Sequence, residues 1–241
     1  MNDTTIPTIN STGKLHPLSV EIIGLREIMY RSGFIEEETP MIDSEEYNFD
    51  ALNVGKMHPA RGMHDTFYLN NGELLRTHTS TMEPRVLEHG KYKTTTNDPF
   101  ATFQLGRVYR RDASDRTHMP MFHHLEGMFV GKTHLGELKG FLDYLLSAFF
   151  QKKIEFRFRP SYFPFTEPSV EVDIKISGKW LEVCGGGMLR RNILERYGYS
   201  SDAYAFGMGV ERLVMIKYEI DNIQDLYKNP FPFMQNYGVN L

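Results

Sequence analysis

From Pro17, apolar residues Leu18, Ile22, Leu25, Ile28 and Met29 recur every three or four positions until Gly33. The spacing predicts an amphipathic helix, with Pro17 suited to its first turn. Gly33 to Ile42 predicts a strand ending near Pro40, followed by a polar loop through Asn48, Asn53 and His58-Pro59-Ala60-Arg61, long enough to be functional. Asn70-Asn71-Gly72 between Thr66–Leu69 and Glu73–Thr77 predicts a hairpin. A helix is expected over Thr79 to His89, then an antiparallel pair, Phe100 to Arg110 and Met121 to Val130, around a polar loop. After a helix from Leu135 to Gln151 come three strand-like runs, Ile154–Arg159, Ser169–Ile176 and Lys179–Val183. Gly185-Gly186-Gly187 interrupts the pattern before a short helix and a closing helix from Gly209 to Glu219. Residues 1–15 lack periodicity and suggest a flexible lead-in, leaving 16–241 as one α+β domain, an antiparallel sheet flanked by helices.

The bulk properties support one large domain: 241 residues, 41% hydrophobic, with 17 Phe to fill a core. A net charge of −4 provides no global attraction for nucleic acid, so RNA contact is expected to be local or borrowed from a partner. A lone cysteine, Cys184, and an N-terminus without an apolar signal run suggest a reducing, cytoplasmic setting. Even the most apolar stretch, Phe141 to Phe150, is short and carries Asp143, so membrane insertion is not expected.

The strand pair carries the most informative chemistry. Side chains repeat every two residues, so His124 and Glu126 share a face of one strand, as Gln104, Val108 and Arg110 do on the other. An arginine there suits phosphate or carboxylate, and a carboxylate suits an ammonium group; a plain cross-strand ion pair is the alternative. Phe206-Gly207-Met208-Gly209-Val210-Glu211-Arg212 places glycines before a helix, where backbone can approach an anion or simply turn. The triple glycine after Glu182 has the same two readings. Phe163-Pro164-Phe165, taken alone, suggests core packing. His118, His123 and His124 have the side-chain type of zinc ligands, but no paired-ligand spacing accompanies them. No Gly-x-Ser-x-Gly appears, and Cys184 lacks a catalytic-dyad signal.

In order and spacing these segments resemble the three motifs of class II aminoacyl-tRNA synthetases. The first is the helix at 17–33 with its strand, the second runs from Gly106-Arg107-Val108-Tyr109-Arg110 to Phe122-His123-His124-Leu125-Glu126-Gly127, and the third is Gly207 to Arg212. Asn48-Phe49-Asp50-Ala51-Leu52-Asn53, Leu75-Arg76-Thr77-His78-Thr79-Ser80 and Arg159 to Ser169 are similar to bacterial phenylalanyl-tRNA synthetase α subunits. The resemblance implies activation of an amino acid with ATP and Mg2+. Arg110 would hold the α-phosphate with His118 assisting, Arg212 the distal phosphates, and Glu182 the magnesium and nucleotide. His78, Ser80 and Glu126 would hold the amino acid's polar end, with His124 beside them. Phe163 and Phe165 would embrace an aromatic ring, edge to face, and Ala205 would limit pocket depth.

Three positions depart from that family: His124 and Glu83 stand where glutamine is usual, and Tyr68 where tryptophan is common. They imply a compensated phenylalanine site or one retuned for a hydroxylated aromatic or a β-amino acid. Only about 15 residues precede the first motif, so the family's helical tRNA arm is not expected, nor is an anticodon-binding domain. An excised core that charges tRNA and a stand-alone paralogue that feeds a carrier protein or small molecule are both consistent with this. Pairing through the first motif, with another copy or with a β subunit, is expected. A regulatory module without activity is the non-enzymatic alternative, and the retained Arg110, Glu126, Glu182 and Arg212 argue against it; a biotin or lipoate ligase is set aside because the Gly-Arg-Gly-Arg-type adenylate loop of those families is absent.

Overall fold

The computed structural model describes residues 13–92 and 99–240. In chain order, β1 (Lys14–Leu15) precedes α1 (Pro17–Arg31), β2 (Ile35–Glu36), β3 (Ile42–Asp43), α2 (Glu45–Asn48), β4 (Leu74–Leu75) and α3 (Met82–His89). The long strands β5 (Phe100–Tyr109) and β6 (Met121–Val130) lead to α4 (Leu135–Phe150), then β7 (Phe156–Phe163), β8 (Thr166–Ile176) and β9 (Lys179–Leu189). The chain finishes with α5 (Arg191–Arg196), β10 (Ala203–Gly209), α6 (Val210–Tyr218), α7 (Asp225–Lys228), α8 (Phe231–Tyr237) and β11 (Val239–Asn240).

The main sheet has seven strands in the order β2-β5-β6-β10-β9-β8-β7. Only the β2–β5 pair is parallel. One face is sealed by α1, α4 and α6. Leu25 and Met29 of α1, Leu142 and Leu145 of α4 and Leu213 of α6 pack there against Phe206, Leu125 and Val172 of the sheet. Burying each such side chain contributes about 1.5–3 kcal/mol. The periodicity from Leu18 to Met29 thus becomes helix α1, whose first turn is closed by His16 accepting a hydrogen bond from Leu18 N–H and whose end is set by Gly33 at φ +83°. On the opposite face a smaller cluster joins Met82 and Leu87 of α3 to Met128, Ala205 and Ile193. Between that cluster and β7 the sheet stays open.

Several expectations are revised. The pairing of Phe100–Tyr109 with Met121–Val130 matches the sequence pattern. The predicted strand at 33–42 shrinks to Ile35–Glu36, and the hairpin at 66–77 to a Tyr68–Leu74 bridge with Gly72 at φ +87° in its turn. Gly185 to Gly187 do not break the pattern; they lie inside β9, where neighbours come so close that a side chain cannot fit. A Cβ on Gly186 would lie 2.7 Å from the Ala205 carbonyl, and one on Gly185 2.7 Å from the Phe163 ring. The central strand β10 escaped the pattern because its glycines dilute the alternation. Of the lead-in, residues 1–12 lie outside the described residues, while Lys14 and Leu15 pair with Asn240 and Val239. Among the described residues no helix is long and apolar enough to cross a membrane.

Candidate active site

The open sheet face carries a cleft with an apolar end and a cationic end. Its polar corner is built by two distant segments. Asn48 accepts from Thr77 N–H at 3.1 Å and its amide donates to the Thr77 hydroxyl at 3.0 Å. Residues 76–80 are thereby fixed as an extended lip, and Arg76 anchors it by donating to the Arg107 and Thr39 carbonyls, each at 2.8 Å. From this lip Thr77 offers its carbonyl to Arg110 Nε at 3.1 Å, and His78 and Ser80 point into the cleft. Ser80 donates to Glu126 Oε2 at 2.9 Å, and Thr79 Oγ1 lies 2.8 Å from His124 Nδ1.

Burial dominates the electrostatics of this corner. It depresses His78 to about 3 and His124 well below the ordinary imidazole value, and the Arg110 guanidinium lowers both further. Both rings are therefore neutral at physiological pH and do not repel a cation. His78 Nδ1 is buried with no hydrogen-bond partner among the described residues. Burial also raises Glu126 well above the ordinary carboxylate range, with Glu83 beside it adding to the effect.

The apolar end is walled by Phe163 and Phe165, whose rings lie 6.0 Å apart and 22° from parallel, with Ala205 and Gly186 also lining it. The Phe-Pro-Phe segment is therefore a cleft wall, correcting the expectation of core packing. β7 turns into β8 here, and Phe163 N–H donates to Ser169 Oγ at 3.2 Å.

At the other end the cleft widens between the β5–β6 loop and α6, lined by Arg110, His118, Glu182 and Arg212. Arg110 packs its guanidinium 5.1 Å from the Phe122 ring centroid and has no carboxylate within ion-pair distance among the described residues. Arg212, in the first turn of α6, donates to the Glu182 carbonyl at 3.1 Å. The Glu182 carboxylate is half-exposed and 3.4 Å from Arg159. His118 sits on the loop with Nδ1 3.0 Å from Asp115 Oδ2, and its hydrogen bond holds the Asp115 carboxyl well below the usual range.

Sequence reasoning missed the joint behind this end. Glu211 is buried, accepts from both the His123 N–H at 2.8–2.9 Å and the His123 ring at 2.7 Å, and receives the Tyr227 hydroxyl. This bond set ties β6 to α6 and α7, so the strand bearing His124 and Glu126 and the helix bearing Arg212 are held in one frame. The three histidines thus have separate partners: Asp115, Glu211 and Thr79. Among the described residues no group of three potential metal ligands occurs.

The family model "tRNA synthetases class II core domain (F)" matches residues 2–237. The chain belongs to the class II tRNA synthetase core family. Among curated relatives, the phenylalanine–tRNA ligase alpha subunit of Photobacterium profundum is 45% identical over 230 residues, 93% of this chain and 68% of that protein. That of Hahella chejuensis is 45% identical over 246 residues, covering 98% and 72%. The solved structure of Desulfitobacterium hafniense PylSc, a pyrrolysyl tRNA synthetase, superposes with a TM-score of 0.69 over 87% of this chain and 72% of that one, at 20% identity, a likeness of fold.

In this class II core, the residues singled out from sequence converge on one cleft, with two exceptions. Of the three departures only His124 lines it. Tyr68 packs with Phe49, Leu52 and Leu74 behind Phe165, and its hydroxyl donates to Glu45 at 2.8 Å; burial and Glu45 push it up to about 12. Glu83 lies behind Glu126, fully buried. The glycine walls, Gly185 and Gly207, carry a signal legible only after pairing is known: Gly207 lies opposite Glu126.

Proposed function

We propose that this cleft activates phenylalanine with ATP, forming phenylalanyl-adenylate and pyrophosphate, and that the aminoacyl group passes to tRNA. The observation that carries this reading is the continuity of an aromatic-walled slot, a polar corner and an arginine-lined groove. The slot would take the ring against Phe163, Phe165 and Ala205. The ammonium would meet Ser80, Glu126 and the unpartnered nitrogen of neutral His78. The carboxylate would then face Arg110 and the α-phosphorus.

No protein nucleophile is required. The substrate carboxylate attacks the α-phosphorus in line and pyrophosphate leaves, so the protein contributes positioning and charge neutralisation. Arg110 has Nε on the Thr77 carbonyl and no other hydrogen bond from its guanidinium among the described residues, which leaves two nitrogens for a phosphate fork. His118, on the β5–β6 loop, would assist Arg110 at the α-phosphate, and Arg212 would hold the distal phosphates. Magnesium commonly binds through one or two carboxylates plus substrate phosphates, a donor set that Glu182 fits at the groove wall. When bound, it would neutralise phosphate charge.

The two curated relatives are named as alpha subunits of tRNA ligases, which supports tRNA as acceptor and a β subunit as partner rather than a carrier protein. On the motif 1 side, Ile23 and Tyr30 of α1 and Ile35 of β2 are exposed and offer an apolar contact surface. ATP–pyrophosphate exchange across all standard amino acids, tyrosine isomers and β-phenylalanine, with and without a β subunit, tests the proposal. Exchange selective for phenylalanine is expected. Preference for another amino acid, or none in either condition, overturns it.

A further inference from the structure

Behind the polar corner two carboxyl groups meet, and among the described residues no Lys or Arg pairs with either. Glu83 of α3 is fully buried, Glu126 of β6 is 2% exposed, and the two carboxyl groups lie close enough to act on each other's ionisation. Glu126 accepts from Ser80, but neither Glu83 oxygen has a donor among the described residues. Carboxylate oxygens only accept, so this contact is repulsive unless one of them carries a proton.

The groups facing the pair from neighbouring elements offer no alternative compensation. Ser80 is a neutral donor already counted, and His78 and His124, the latter 3.6 Å from Glu126, are neutral for the reasons given above. Gln104, opposite Glu126 on β5, is engaged by Thr39. The Cys184 thiol on β9 is pushed up by burial first and by Glu126 second, and so stays uncharged. Arg110 lies across the cleft without an ion pair to either carboxyl. Where the resembling family would have a glutamine at 83, this chain has a group that can titrate.

We propose that Glu83 and Glu126 share one proton while the cleft is free, and that the ammonium group of the substrate, arriving at Glu126, replaces that proton, which leaves to solvent. The inference rests on the reading of this corner as the ammonium site of an amino acid. Burial and the Glu83 carboxyl beside it raise Glu126 further than Glu83, with Ser80 opposing, so the proton of the pair rests mainly on Glu126 until the ammonium arrives there. Burial also raises Glu83, to about 7, so the pair as a whole keeps a proton near neutral pH until a positive charge displaces it. Glu83 is therefore a positioning residue that couples amino acid binding to proton release.

Calorimetric titration of the full chain with phenylalanine, in buffers of different ionisation enthalpy, counts the protons released. Between pH 6 and 8 the wild type is expected to release up to one proton per amino acid bound. Its affinity should rise by as much as about tenfold per pH unit. Glu83→Gln keeps the shape of the side chain and supplies an amide donor that does not titrate; it should release no proton and bind with flat pH dependence. Binding without proton release in the wild type, or equal release in both proteins, overturns the proposal. Absence of binding by any amino acid overturns the reading of the corner as well as the coupling. The infrared band of a buried protonated carboxyl in the free protein at neutral pH then decides the remaining claim: present in wild type and lost in Glu83→Gln, the shared proton stands; absent in wild type, it falls.

Discussion

Arg110→Met separates catalysis from stability. The guanidinium is held by one bond to the Thr77 carbonyl and by stacking on Phe122, with no carboxylate in ion-pair range among the described residues, and it lines the cleft. Methionine retains much of the stem volume and removes the charge. Losing a preorganised donor to a transition-state oxyanion costs about 10² to 10³ in rate, or about 2.7–4 kcal/mol, and a bidentate arginine should stand at the upper end. Stability should respond weakly. Relief from holding a partly buried unpaired cation offsets the lost bond and ring contact, leaving a change within about 1 kcal/mol. For a domain of this size that is a Tm shift of about 2–4 °C or less. The assays are ATP–pyrophosphate exchange at saturating amino acid and ATP, and thermal unfolding of the free protein. Near-normal exchange refutes the phosphate-clamp assignment. A stability loss of several kcal/mol would show instead that Arg110 is a structural strut and that lost activity reflects a damaged fold.

Two further outcomes follow from packing and linkage. In Gly207→Ala the new Cβ would lie 2.5 Å from Glu126 Oε2 and 2.7 Å from His124 Cε1, so overpacking should cost about 1–3 kcal/mol in denaturant unfolding, and the amino acid KM should rise more than the ATP KM. Because Glu83 rises from an ordinary 4.5 to about 7 on folding, its stabilising effect is full below pH 4.5 and is lost as pH climbs through 7, on the order of 3 kcal/mol; urea titrations at pH 5 and 8 should show this decline in wild type and a smaller one in Glu83→Gln.

Amphipathic spacing by itself determined α1 and α4, and strand alternation determined the β5–β6 pair, because local periodicity directly reports which face is buried. The resemblance of the ordered motifs to a known family pointed to Arg110, Glu126 and Arg212 as candidate site residues. Only the tertiary structure decided what depends on strands and segments distant in sequence. The glycines of β9 and β10 look like breaks along the chain, yet they are strand positions whose missing side chains make room for Phe163, Glu126 and the Ala205 carbonyl. Phe163 and Phe165 have the composition of core residues, and only the turn between β7 and β8 aims them into a cleft. Tyr68, Glu83 and His124 could not be sorted by spacing, since what separates them is depth: His124 lines the cleft, Glu83 supports it from behind, and Tyr68 belongs to another cluster. The same holds for Glu211, an ordinary first-turn acid until the fold brings His123 and Tyr227 to it. Burial and proximity across the sheet set the charge of such groups, and neither is written in local pattern.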